Sequence, residues 1–212
     1  GGAIVVVSRA NITDLVEIYD FAKREGINLK LNPLIKSGRA RGCYQDLAIG
    51  PEEYGRALVG LFDLWYADGS DLKVDPFDEL MGNILTEQPW GCNYGVSCQD
   101  SFISVGPRGD VYPCGRFDGI PGFRFGDINT DDLATVLDSE RRRELRERVF
   151  KVKGCAPCKY KRICNSGCMH NAFVRRGNIH DKDYYCASYK ILFGHIGEVI
   201  ERDIKEAEVE VV

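Results

Sequence analysis

No stretch of this 212-residue sequence approaches the roughly 18 consecutive apolar residues of a membrane-spanning helix. It does not open with the charged start, apolar middle and small-residue cleavage site of a secretory leader. No membrane association and a cytoplasmic location are therefore expected. Strong charge of one sign is also lacking: a net charge of -4 and a pI near 5.5 argue against a dedicated nucleic-acid binder. Histidine is scarce, with only three, and His170, His180 and His195 fall at no spacing that would complete a metal site. Internal repeats and low-complexity segments are absent, which leaves no basis for a solenoid or a disordered tail.

What remains is an ordinary globular composition, 44% hydrophobic and 28% charged, sufficient for one core or for one core with a small appended module. The chain starts Gly1-Gly2-Ala3 and enters an apolar strand at once, so it is expected to be a piece of a longer protein. Ala3 to Val7 reads as a parallel strand buried on both faces. Asn11 or Thr13 is placed to cap a helix carrying Ile12, Leu15, Val16, Tyr19 and Ala22, and Gly26 is placed to stop it. Ile27, Leu29 and Leu31 then alternate as a second strand ended by Pro33. This strand–helix–strand unit belongs to an α/β sheet or barrel, and one such unit cannot close a barrel. Ser37 to Gly42 form a small basic loop. A second helix starts at Pro51 with Tyr54, Leu58, Leu61 and Trp65 on one face, and residues 76–87 suit a short third helix. A last helix spans about 187–207, with His195 inside its apolar stripe and expected in the core.

From Cys92 onward, cysteines, glycines and turns replace periodic runs, and the domain boundary is placed at residue 88. Nine cysteines in a chain with no secretory leader indicate ligands in a reducing compartment rather than disulfides. Cys155-Ala-Pro-Cys158 is a CxxC turn whose thiols sit close enough to bind one centre, and Cys164 and Cys168 follow it. Phe102 to Cys114 reads as a β-hairpin that returns Cys114 toward Cys98. Local spacing leaves structural zinc and iron–sulfur clusters about equally open, since both use four thiolates.

The whole pattern is more specific. Cys98 is followed by ten residues and Gly109, then by four residues and Cys114. Cys155-x2-Cys158-x5-Cys164-x3-Cys168 comes next, and Cys186 stands alone after a gap. With Cys92 six residues before Cys98, this resembles the SPASM signature of radical SAM enzymes over residues 90–190. Residues 3–87 look like the last strands and helices of the radical SAM partial barrel. The resemblance implies an α/β architecture: the C-terminal end of a partial (β/α) barrel in 1–88, a small α+β SPASM domain in 89–190 and a final helix in 191–212. It implies two [4Fe-4S] auxiliary clusters, with Cys92, Cys98, Cys114 and Cys168 on cluster I and Cys155, Cys158, Cys164 and Cys186 on cluster II. Cys43 is left over as a plain thiol.

The CxxxCxxC motif that holds the SAM-cleaving cluster in this family is missing, so the chain by itself is not expected to cleave SAM. The resemblance puts Ser8, Asn32 and Pro33 on the SAM side, where strand ends and a turn are the plain alternative. It implies that the complete parent holds SAM and a third [4Fe-4S] cluster, and generates a 5′-deoxyadenosyl radical. That radical would modify a ribosomally made peptide or protein by crosslinking or side-chain oxidation. The implied partners are the peptide or protein substrate, the missing N-terminal barrel portion, and an electron donor such as a flavodoxin or ferredoxin. Sulfatase-maturing members of the family place an aspartate directly after the cysteine equivalent to Cys114. Here Gly115 stands there, with Asp118 nearby, and the Pro-Cys-Gly-Arg-Phe segment looks more like that of peptide-crosslinking maturases. Arg116 has either a substrate or a cluster to serve, or is simply exposed. Lys151, Lys153, Lys159, Lys161 and Arg162 flank the CxxC run, and Arg141, Arg142 and Arg143 precede it; most of these read as a solvated face. Two other classes stay in view: a stand-alone two-cluster electron-transfer or scaffold protein, and a four-cysteine zinc interaction module.

Overall fold

A computed structural model describes residues 1–95 and 98–210. Strand β1 (Gly2–Val7), helix α1 (Leu15–Glu25) and strand β2 (Asn28–Pro33) form the expected unit. The strands pair in parallel from Gly2↔Asn28 to Val7↔Pro33. A two-residue strand β3 (Val74–Asp75) adds to the far side of β2, also in parallel. Two residues are too few to leave an alternation in the sequence, which is why β3 was not legible there.

Side chains alternate across this sheet. Val7, Leu29, Leu31 and Val74 face the helices and are buried. Ile4 and Val6 point the other way and are 70% and 48% exposed, so β1 is not buried on both faces as expected. The reason is topological: α1 and the helix after it cover one face of the sheet only. The expected cap of α1 also fails. A 3₁₀ turn (Ile12–Asp14) precedes the helix, and the Asn11 side chain accepts the Ser8 N–H at 2.8 Å instead of a helix N–H. Gly26 stops α1 as expected, in the left-handed conformation at φ 64°.

Helix α2 (Pro51–Asp68) buries Tyr54, Leu58, Leu61 and Trp65 as expected, together with Phe62. Its Tyr54 hydroxyl donates to the Leu31 carbonyl at 2.9 Å, which ties it to β2. Helix α3 (Phe77–Thr86) follows β3. The second half holds the expected hairpin, β4 (Ser104–Val105) and β5 (Asp110–Tyr112), extended by an antiparallel β6 (Gly126–Asp127). It builds a separate small core from Val111, Phe117, Phe123, Val136, Leu145 and Ile179. Helices α4 (Glu140–Arg146) and α5 (Met169–Arg176) flank that core.

The last helix, α6 (Cys186–Glu210), runs through position 190 and returns to the first half, where Tyr189, Leu192, Ile196 and Ile200 join the core of α2. His195 lies at the edge of that contact, its Nε2 2.5 Å from Asp63, and is not the core residue expected. A Cβ on Gly55 of α2 would stand 2.9 Å from the Ser188 Cα and 3.2 Å from the Ile191 side chain. Backbone cannot yield as a side-chain end can. Gly55→Ala is therefore expected to lower stability by about 1–3 kcal/mol through overpacking, measured by chemical denaturation. An unchanged midpoint would show that α2 and α6 can separate freely.

Candidate metal centre

Local structure delivers each cysteine separately. Cys98 opens a single helical turn (Cys98–Ser101), Cys114 follows β5, and Cys168 directly precedes α5. With Cys92 these thiols line one cavity of about 300 Å³. The second set is built on the CxxC turn, where the Cys158 N–H bonds the Cys155 carbonyl at 3.0 Å. Cys155, Cys158, Cys164 and Cys186, the last brought in by the start of α6, line a tighter cavity of about 20 Å³. Eight of the nine cysteines thus divide four and four. Cys43 is exposed and lines neither cavity.

The crossing of Cys168 away from its sequence neighbours has a backbone cause. Asn165, Ser166 and Gly167 take positive φ values of 49°, 76° and 68° in succession, which reverses the chain within one turn. Left-handed conformation costs a non-glycine residue about 1 kcal/mol or more, so the turn needs outside support. Arg148 donates to the Gly167 and Ser166 carbonyls at 2.9 and 3.4 Å. The Lys161 ammonium reaches the Ser166 hydroxyl at 2.7 Å. On the other side, the buried Asp183 carboxylate accepts the Cys168 N–H at 2.7 Å, the Tyr185 N–H at 2.7 Å, the Tyr189 hydroxyl at 3.0 Å and the Asn171 amide at 3.1 Å.

Desolvation in both cavities disfavours the free thiolate form of several of these cysteines. Burial pushes the Cys164 and Cys168 thiols up to about 12, and raises Cys98, Cys114 and Cys186 as well. A metal must displace those protons, so binding here is linked to pH. Arg116 is half-buried rather than exposed: its Nη1 lies 3.8 Å from the Cys168 sulfur and 3.3 Å from the Asn171 side-chain oxygen. Burial opposes its charge, but Cys168, Cys92 and Cys114 outweigh that effect and hold it protonated. Lys161, Lys182 and Lys190 are the cations of the second cavity. The other flanking charges are surface groups: Lys151 pairs with Glu147 at 2.6 Å, Arg162 pairs with Glu87 at 2.7 Å, and Lys153 is exposed. Arg142 is buried and bonds the Leu137 and Gln99 carbonyls, so it is a structural tie and not a solvated charge.

His170 was missed by reasoning from ligand spacing. It is fully buried, lines the first cavity and lies edge-on to Phe117, with ring centroids 5.0 Å apart. Neither ring nitrogen has a hydrogen-bond partner among the described residues, whereas Arg146 on the same wall pairs through its Nε with Asp100 at 2.5 Å. Unpartnered buried donors are rare, and a sulfide or thiolate in this cavity would accept from them. Only its burial between Met169 and Asn171, at the start of a helix, could have signalled it. Among the described residues, no three Cys, His, Asp or Glu side chains meet closely enough to hold a single ion. The thiols enclose space instead.

At the carboxyl ends of the parallel strands lies a narrow third cavity, lined by Asn32 and Pro33 with Lys30, Glu79 and Arg116. Lys30 bridges Glu79 at 2.8 Å and Asp75 at 3.2 Å. Ser8 is not on this wall; its hydroxyl turns into the loop, accepting the Ala10 N–H at 3.3 Å.

Residues 92–169 match the SPASM family, an iron–sulfur cluster-binding domain. A cysteine-type anaerobic sulfatase-maturating enzyme of Clostridium perfringens is 31% identical over 178 residues, which cover 82% of this chain and 46% of that protein. The mycofactocin maturase MftC of Mycolicibacterium smegmatis is 33% identical over 172 residues, 80% of this chain and 42% of that one. Residues 92–169 are a SPASM domain, and the chain's homologues are radical SAM peptide and protein maturases.

Among solved structures, native anSMEcpe with bound AdoMet superposes with a TM-score of 0.78 at 24% identity, covering 96% of this chain and 57% of that one. Its complex with the Cp18Cys peptide matches equally, at 0.78. The chain spans about half the length of the curated relatives it matches. The matched SPASM span holds seven of the eight clustered cysteines; Cys186 lies beyond it and is supplied by α6. At Gly115 an added Cβ would meet nothing nearer than the Ser104 hydroxyl at 3.9 Å, so packing does not impose glycine there. Asp118 is exposed and lines neither cysteine cavity.

Proposed function

We propose that this chain is the auxiliary-cluster part of a radical SAM enzyme that modifies a ribosomally made peptide or protein. The observation that carries the reading is the division of eight cysteines into two sets of four, each around its own cavity. In this reading Cys92, Cys98, Cys114 and Cys168 hold one [4Fe-4S] cluster and Cys155, Cys158, Cys164 and Cys186 hold the other. The donor set fits: thiolates are the ordinary ligands of such clusters, and a fourth cysteine crossing to the neighbouring centre is a known ferredoxin device. The unpartnered His170 and the half-buried Arg116 supply donors and positive charge to the first cavity, as an anionic centre requires. Each bound cluster would supply one-electron redox capacity.

The three parallel strands are read as the end of a partial barrel, with residues 1–88 as that portion, 89–190 as the SPASM unit and the last helix closing against the barrel. Ligands of open α/β sheets sit at the carboxyl ends of strands. Asn32 and Pro33 lie there and are assigned to the SAM side of the parent, whereas Ser8 is assigned a loop role. Arg116 lines both the strand-end cavity and the first cysteine cavity, so it stands between the substrate side and the first cluster. The peptide substrate, the rest of the barrel and a flavodoxin- or ferredoxin-type donor complete the assembly in the cytoplasm. Gly115 leaves the position after Cys114 without a carboxylate. That favours crosslinking or another side-chain oxidation over sulfatase maturation, the activity named for the clostridial relative.

The test is the iron, sulfide and zinc content of the anaerobically purified chain. About eight irons and eight sulfides are expected. About two zincs with no sulfide would replace this reading with a structural zinc module.

A further inference from the structure

Arg148 is 3% exposed and uses its whole guanidinium on backbone carbonyls: Ile179, Gly167 at 2.9 Å, Ser166 at 3.4 Å and Asp181 at 3.2 Å. It forms no ion pair with a carboxylate among the described residues. A buried cation met only by carbonyl dipoles is costly. Removal from water outweighs the attraction of Cys168, Asp183, Cys98 and Cys155 and lowers its pKa from the ordinary arginine value. Its contacts identify its place: Arg148 and Gly167 line the first cavity, and Ser166, whose carbonyl it also bonds, lines the second. Cys98 and Cys168 belong to the first cavity, Cys155 to the second, and Asp183 grips the Cys168 peptide from the far side of the same turn. Among the other cations, Arg116 and Arg146 line the first cavity and Lys161, Lys182 and Lys190 the second.

We propose that Arg148 is the shared counter-cation of both cysteine sites, a positioning residue whose charge raises the reduction potential of both clusters. This rests on the iron–sulfur reading given above and adds to it one residue that tunes the two centres together. A positive charge between two anionic clusters favours the extra electron on each. It therefore holds both potentials up. The carbonyl contacts have a separate task, holding the left-handed turn that sends Cys168 across.

Two variants separate charge from scaffold. Arg148→Gln removes the charge and keeps amide donors for the carbonyls; Arg148→Lys keeps the charge and loses the fork. Both are tested as the full chain, reconstituted with iron and sulfide and titrated potentiometrically by electron paramagnetic resonance. The glutamine variant is expected to lower both midpoint potentials by at least a tenfold shift of the reduction equilibrium, about 59 mV for a one-electron couple. The lysine variant is expected to keep both potentials near those of the unmodified chain, with a lower melting temperature. Potentials that stay put in Arg148→Gln, or that move at one centre only, overturn the proposal while leaving the two-cluster reading intact. If the glutamine variant fails to take up iron, the lysine variant decides. Full loading at unchanged potentials supports the shared cation; loss of either cluster from it overturns the proposal. An unmodified chain that binds zinc without sulfide removes the underlying reading itself.

Discussion

Cys168→Ala is expected to halve the iron and sulfide of the reconstituted chain, from about eight of each to about four, and to take the first cluster rather than the second. By local spacing alone, without the family resemblance, the opposite would be guessed, because Cys168 stands four residues after Cys164 and belongs to the CxxC run. Three consecutive left-handed residues reverse the chain between them, and the Cys168 thiol lines the cavity of Cys92, Cys98 and Cys114. The four thiols of the second cavity are untouched by the substitution. Electron paramagnetic resonance with iron analysis would read the result. Retention of the first centre with loss of the second would show that the ligand sets are assigned wrongly. Collateral loosening of the second centre is limited to the shared turn, so a partial loss of its iron would be the smaller effect.

Asp183→Leu is expected to be the most destabilising single change in the cysteine-rich half. The carboxylate accepts four donors: two backbone N–H groups, the Asn171 amide and the Tyr189 hydroxyl. All lie in the interior, and an orphaned buried donor costs about 1–3 kcal/mol. Even with incomplete additivity, a loss on the order of 4 kcal/mol follows, large against the whole stability of an ordinary domain. Asp183→Asn should recover only part of it, since one of the two oxygens becomes a donor facing donors. Chemical denaturation followed by circular dichroism measures both variants. A shift of less than about 1 kcal/mol for the leucine variant, the net worth of one ordinary hydrogen bond, would mean that water replaces the lost acceptor. Gly167 reports on the same contact: its φ is +68°, and a Cβ there would stand 2.6 Å from the Asp183 Cβ. The turn and the carboxylate are therefore built against each other.

Much of this was legible along the chain, and the parts that were share a cause. Helical periodicity named the buried face of α2, from Tyr54 to Trp65, because one stripe of that helix meets the core. The cysteine spacing, with Gly109 in register, identified the SPASM pattern because ligand geometry constrains a short segment tightly. Gly26 marked a helix end through its own conformational freedom. Each of these signals is local.

The rest needed the fold. Whether β1 is covered on one face or two depends on which helices return to it, and Ile4 and Val6 lie open on the uncovered side. The role of Arg148 could not be read from a basic helix end; carbonyls from residues 166, 167, 179 and 181 converge on it only after folding. The same holds for His170, whose burial without partners is a property of the cavity and not of its neighbours in sequence. Asp183 and Ser8 reversed their apparent weights, one an inconspicuous loop aspartate that became the hub of the Cys168 turn, the other a strand-end serine turned aside by Asn11. The sequence by itself determined the SPASM spacing of the cysteines and which helix faces are apolar, since spacing and periodicity are written into the chain. Only the tertiary structure decided that the eight thiols line two separate cavities and that Arg148 is buried against the turn leading to Cys168, because those contacts join segments whose distance along the chain carries no information about their distance in space.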